Sequence, residues 1–295
     1  MNRVAIIAAM AGELKPLVCG WQRERREGVD LWRWDSLDDE GEVGEWVAAC
    51  AGAGVDAATR AFAEVERDGP ISMAISTGWA GALSEEFAAG QAYRVSGVID
   101  ARTGERFAVG GAKDSGDRSP RSQNRDLGHP VLEEESAHSH PSDKDKDVAR
   151  VGHLGPSQLL AGHPGIWLVT RSRVADVKEK QRLRAAYGTG LVDMEAAGVA
   201  RLARMRGIPF YCVKGISDGY RDQLPDFNRF ISPDGRFQLG RFVVFCSLRP
   251  WYWPRLMRMG ENSRKAARNI AGSLLDVLNE LGSTDKRNGH PNFKR

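Results

Sequence analysis

Short apolar runs alternate with helix-patterned segments along most of this chain, and that alternation is satisfied by a sheet with helices packed against it. Residues 4–10, 43–50 and 71–76 read as strands, with 13–18 and 56–67 as the helices between them. Residues 91–99 form a further strand, ended by the polar turn at 100–105. Strand pattern resumes at 166–169, followed by a short basic helix at 177–186. Residues 263–281 carry a terminal helix, 224–230 read as a loop, and 236–248 fit either helix or strand. The expected class is α/β.

The most specific part of the pattern spans 191–218. Ala196, Val199, Leu202 and Ala203 recur at helical spacing, Gly207 is a stop signal, and Ile208-Pro209 leads into the apolar run Phe210-Tyr211-Cys212-Val213. The strand then closes on Ile216-Ser217-Asp218. Glu195 therefore opens a helix and Asp218 ends a strand, the places that border the crevice where open α/β sheets bind small molecules. Acids in a first helical turn also serve simply to complement the helix dipole, and for Asp193 that reading stands beside the functional one.

Composition narrows the class of partner. With 295 residues and 41% hydrophobic content the chain can bury a substantial core. A formal charge of +3, with both signs well mixed, argues against nucleic acid as a partner and favours a small molecule. Cys19, Cys50, Cys212 and Cys246 are scattered without a Cys-x-x-Cys pair and read as thiols of a reducing compartment. The first apolar run is far too short to span a membrane, so a cytoplasmic protein is expected. Between 113 and 156 the sequence turns to Ser, Asp, Lys, Arg, His and Pro, the composition of a disordered insertion. Its histidines, His129, His138, His140 and His153, lack cysteines and a scaffold to fix them, so no metal site is expected.

Two glycine loops invite a phosphate or sugar reading. Gly52-Ala53-Gly54-Val55-Asp56-Ala57 matches the G-x-G-x-x-A dinucleotide fingerprint, but the following strand ends in Ser76-Thr77-Gly78-Trp79 rather than in the required acid. Thr77-Gly78-Trp79-Ala80-Gly81-Ala82-Leu83 is the second, and it also reads as a tight turn of small residues.

The motifs then combine. Val192-Asp193-Met194-Glu195-Ala196-Ala197 resembles the signature of the methylthioadenosine/adenosylhomocysteine nucleosidases, as does the Ile-Ser-Asp strand end. The loop at Thr77 resembles their Thr-Gly-Ser-Ala-Gly-Gly loop. The opening strand with Met10 and Glu13 resembles their first element, with Ala11 and Gly12 in place of two acids. The chain is identified as a member of the purine nucleoside phosphorylase and nucleosidase superfamily, closer to the nucleosidases. While the chain itself reads as one domain over 1–281 with a frayed tail at 282–295, that resemblance implies a three-layer α/β sandwich with a central mixed sheet and a homodimer. It implies a purine nucleoside as partner and neither metal nor organic cofactor.

It also implies roles. Purine N-glycoside cleavage passes through an oxocarbenium-like cation and calls for a base, an acid and an anchor for the sugar. Glu13 would activate water, Asp218 would protonate the purine and so must carry a proton, and Glu195 would hold the sugar hydroxyls. Ser217 would orient Asp218 and Met194 would pack on the sugar, although local capping and core packing explain these two as well. The backbone of Thr77, Gly78, Trp79, Ala80 and Gly81 would line the ribosyl pocket. Val174 stands where the family places a base-stacking Phe.

Ser76 and Trp79 occupy positions where related phosphorylases carry an Arg and a Ser, so water is the expected nucleophile. Arg171 and Arg173 keep phosphorolysis as an alternative. A non-catalytic nucleotide-binding module on the same fold is another. Beyond Asp218 the chain is longer than a typical nucleosidase. Its segment 248–258 sets Trp251, Tyr252 and Trp253 beside arginines, as at a membrane interface or in a cap on the core or a second subunit. This tail resembles the hopanoid-associated branch of the superfamily, which implies adenine release from an adenosylated lipid.

Overall fold

The computed structural model describes residues 3–37, 43–110 and 165–282. The insertion expected at 113–156, its histidines and the tail after 282 lie outside the described residues. The strands are β1 (Arg3–Ala8), β2 (Gln22–Arg26), β3 (Val29–Leu37), β4 (Val43–Cys50), β5 (Met73–Ser76), β6 (Trp79–Ala82), β7 (Ala92–Arg94), β8 (Gly97–Asp100), β9 (Arg106–Ala108), β10 (Trp167–Thr170), β11 (Leu191–Asp193) and β12 (Phe210–Asp218). The helices are α1 (Ala11–Leu14), α2 (Val55–Glu66), α3 (Val177–Tyr187), α4 (Ala196–Arg206), α5 (Leu239–Ser247) and α6 (Trp253–Gly282).

One mixed sheet runs β2-β3-β4-β1-β5-β12-β6-β11-β10-β8-β9, with β7 paired to β12. Strands β4, β1, β5 and β12 are parallel neighbours, so Ala8, Cys50 and Ser76 end at one rim, and β12 runs on past it from Cys212, level with Ser76, to Asp218. β12 is long enough to pair β5 with its first half and β6 with its second.

Burial on both faces explains why the parallel strands read as mostly apolar runs rather than alternating ones. Ala5 and Ile7 of β1 face a core with Phe62 of α2 and Ala200 of α4. Val4, Ile6 and Ala8 face the opposite core with Tyr211, Ile270 and Leu274. Helices α2 and α4 thus cover one face and α6 the other, the expected three layers. Gly215 of β12 permits the close approach of α6, since a Cβ there would lie 2.8 Å from Ala266 Cβ.

The periodicity misplaces several boundaries. The β2–β3 hairpin was not anticipated, because β2 is the charged run Gln22-Arg23-Glu24-Arg25-Arg26 on a sheet edge. Glu27 (φ 47°) and Gly28 (φ 83°) form its two-residue turn, a geometry that calls for positive φ at both positions. The loop expected from Thr77 contains strand β6, and 91–99 is two strands rather than one. The undecided 236–248 stretch holds helix α5. The terminal helix begins at Trp253, ten residues before its expected start at 263.

Candidate active site

Glu13 sits in the single turn of α1 at the end of β1, and its carboxylate is held by backbone alone. Oε2 accepts from the N–H groups of Ala9 and Met10, both at 2.8 Å, and Oε1 accepts from Trp79 N–H at 2.8 Å. Burial raises the Glu13 carboxyl above its usual value despite these three donors. A buried carboxylate of raised basicity, fixed in one orientation, is suited to take a proton from water.

Gly78 makes that position possible. Its φ is +113°, and a Cβ there would lie 2.8 Å from the Glu13 carboxyl carbon. Gly78→Ala is expected to cost about 1–3 kcal/mol through positive-φ strain and to displace the carboxylate. A denaturation midpoint and a turnover rate both equal to wild type would contradict this.

Asp193 and Glu195 lie two residues apart and do different things. Asp193 accepts from Thr170 Oγ1 at 2.6 Å and caps α4 through Ala196 N–H at 2.9 Å, while Lys214 Nζ lies 2.9 Å away. Lys214 also donates to Thr77 O at 2.8 Å. The helix-start reading of Asp193 therefore holds, with a buried cation added. Glu195 turns instead toward the end of β4, where its carboxylate accepts from Gly54 N–H at 2.9 Å and Met194 N–H at 3.2 Å. The amide of the second glycine of the Gly52-Ala53-Gly54 fingerprint is thus engaged by a carboxylate, not free for a pyrophosphate.

Burial, reinforced by the charge of Asp193, pushes the Glu195 carboxyl up to about 8 from an ordinary 4.5, with Lys214 opposing. Between these values the folded chain keeps a proton that the unfolded chain has released. Stability should therefore fall as pH rises through this window, by at most about 1.4 kcal/mol per pH unit. Urea titrations of wild type and Glu195→Gln at several pH values check this. The variant is expected to show the flatter profile, and equal slopes would refute the assignment.

Asp218 ends β12 beside β6. Ser217 Oγ donates to its Oδ1 at 2.6 Å, as expected of an orienting hydroxyl. The other oxygen receives Lys180 Nζ, which also donates to Gly219 O at 2.7 Å. Lys180 is fully buried on α3, and Gly81 leaves room for both, since a Cβ there would lie 3.2 Å from Asp218 Oδ2 and from Lys180 Cε. Lys180 was not singled out in the sequence. Its spacing of three from buried Leu183, on one helix face, was the available signal.

These groups border one cavity of about 720 Å³. Glu13, Lys180, Glu195, Ser217 and Asp218 lie on its wall with Trp79, Ala80, Gly81, Val174 and Met194. Thr77 and Gly78 do not: Thr77 is buried behind the loop and Gly78 backs Glu13. The Trp79 indole packs over Gly12 and donates to Ser263 O at 3.0 Å, tying β6 to α6. Asn228 fastens the 3₁₀ turn Phe227–Phe230 over the site by accepting from Val174 N–H at 2.8 Å and donating to Val174 O at 3.1 Å. Arg173 reaches the cavity, whereas Arg171 pairs with Glu179 in an adjoining cleft. Among the described residues no three His, Cys, Asp or Glu side chains converge as metal ligands would.

The family model described as the phosphorylase superfamily matches residues 3–236, most of the chain. The chain belongs to that superfamily. Solved structures agree on the fold of this superfamily member. The 5'-methylthioadenosine/S-adenosylhomocysteine nucleosidase of Helicobacter pylori matches at TM-score 0.58 and 13% identity, covering 95% of this chain and 99% of that one. Futalosine hydrolase of the same organism matches at TM-score 0.58 and 12% identity, with 95% and 98% covered. The S-adenosylhomocysteine nucleosidase of Streptococcus pyogenes matches at TM-score 0.56 and 18% identity, with 95% and 97% covered. Among curated proteins none matches the sequence.

Proposed function

We propose that the protein hydrolyses the N-glycosidic bond of a 5'-substituted adenine nucleoside. The observation that carries the reading is the meeting of Glu13, Glu195 and the Asp218–Lys180 pair on one cavity wall. Glu13 takes a proton from water as it attacks the anomeric carbon. Glu195 accepts the sugar hydroxyls; its burial, reinforced by Asp193, disfavours the carboxylate, and donors from the substrate favour it. Asp218 faces the departing ring nitrogen. The sequence expectation placed the proton on Asp218 alone, whereas the ammonium against it supports a pair in which Lys180 holds the proton and Asp218 relays it.

Lys180→Met is accordingly expected to lower kcat by about 10²-fold and to change the basic limb of the pH–rate profile, and Lys180→Arg, whose guanidinium does not give up its proton, is expected not to restore turnover. An unchanged pH profile at reduced stability would make Lys180 a structural ion-pair partner only.

Water is favoured over phosphate as nucleophile. Glu13 would repel a phosphate dianion, the Ser76 hydroxyl is fully buried, and Trp79 supplies a backbone amide to Glu13 rather than a hydroxyl.

A second reading concerns the 5' group. Away from the carboxylates the cavity is walled by Leu224, Phe227, Phe237, Phe242, Leu256 and Met259, a surface suited to a large apolar substituent such as the lipid of an adenosylated hopanoid. In a series of 5'-alkylthioadenosines, kcat/KM is expected to rise about three- to fourfold per added methylene, the worth of one buried CH₂. A preference for the shortest member, or for adenosylhomocysteine with its charged tail, would defeat this reading and leave the hydrolysis standing.

A further inference from the structure

The segment after the catalytic core presents an apolar surface that nothing in the fold covers. On α5 and the turn into α6, Val243, Val244, Leu248, Trp251, Trp253 and Met257 are all about half exposed or more, Leu248 reaching 70% and Trp251 64%. Monomeric folds rarely leave so many large apolar side chains contiguous. The inner face of the same helix is equally apolar. Phe242 and Phe245 meet Phe230 edge to face, with ring centroids 5.3 and 5.2 Å apart. A helix apolar on every side, with Arg241 its one charge, belongs in an apolar surrounding.

Charge indicates which surrounding. Residues 236–260 contain five arginines and no Asp or Glu. Arg241, Arg255 and Arg258 are exposed, and Arg249 lies over the Phe245 ring at 4.0 Å. A second protein copy would need acids to meet these cations, while an anionic bilayer supplies them at its surface. Tryptophans sit at the headgroup level because their rings are amphipathic, and arginines beside them meet the anionic headgroups. No helix among the described residues is long and apolar enough to cross a membrane, so contact would be peripheral.

We infer that helix α5 and the start of α6 dock this protein on an anionic lipid surface, with α5 lying in the interface. The patch adjoins the reaction cavity: Leu239 of α5 is exposed on the outside and lines the cavity within. Docking would therefore open the apolar half of the cavity toward the bilayer. Docking through this surface does not depend on the reaction proposed above.

Co-sedimentation with vesicles of phosphatidylcholine containing about one-third phosphatidylglycerol tests this, against pure phosphatidylcholine. Wild type is expected to partition at least about tenfold more onto the anionic vesicles, and raised salt should weaken it. Val244→Glu/Trp251→Glu changes no residue that lines the cavity and is expected to abolish sedimentation while keeping turnover of a soluble nucleoside. Should that variant not fold, Arg255→Glu/Arg258→Glu carries the test through charge alone, with about tenfold loss expected. Wild type that stays in the supernatant, or variants that sediment like wild type, would overturn the inference. So would a double variant that turns a wild-type dimer into a monomer while wild type ignores vesicles, because the patch would then be a subunit interface.

Discussion

Glu13→Gln is expected to lower kcat/KM for adenine release by roughly 10²–10⁴-fold, the range general-base removal commonly reaches. Glutamine keeps the size of the side chain and removes the basic oxygen. It also brings an NH₂ group against backbone donors, since all three partners of the carboxylate are N–H groups from Ala9, Met10 and Trp79. A local penalty of about 1–3 kcal/mol is therefore expected beside the kinetic loss. Calorimetric affinity for an inert nucleoside analogue separates the two, because a displaced loop weakens binding and a missing base does not. Activity within a few-fold of wild type would remove Glu13 from the chemistry.

Lys214→Met carries the largest expected effect on stability, about 3–5 kcal/mol. Lys214 and Asp193 are wholly buried side chains 2.9 Å apart. Removing the cation strands Asp193 with only the Thr170 hydroxyl and the Ala196 amide, and it takes away the charge that restrains Glu195. Thr77 O loses its donor too, which loosens the strand end that leads to Trp79. Lys214→Met/Asp193→Asn should recover part of the loss, since no uncompensated charge remains. Chemical denaturation that finds Lys214→Met within about 1 kcal/mol of wild type would show that Asp193 finds other compensation.

The layered fold was legible because parallel strands buried on both faces must be largely apolar, as residues 4–8 of β1, 46–50 of β4 and 210–213 of β12 are. Glu195 and Asp218 were legible because a helix start and a strand end are places the chain itself announces. What escaped was set by tertiary context. β2 is charged since an edge strand faces water, and β6, Trp79-Ala80-Gly81-Ala82, imitates a turn because small residues let Asp218 and Lys180 close on Gly81. The start of α6 was hidden by its Trp-Pro opening, although Pro is tolerated in a first helical turn. Lys180 looked like one more cation of a basic helix. Its burial depends on a carboxylate 38 residues away that no local pattern reveals.

The measurement that bears most directly on the account is free adenine released from a 5'-alkylthioadenosine by wild type and Asp218→Asn, each with and without inorganic phosphate. The account predicts release by wild type at a rate independent of phosphate, with a free sugar as the other product, and a loss of at least about 10²-fold in Asp218→Asn. Release that requires phosphate and yields a sugar 1-phosphate would contradict hydrolysis, and release undiminished in Asp218→Asn would contradict the site.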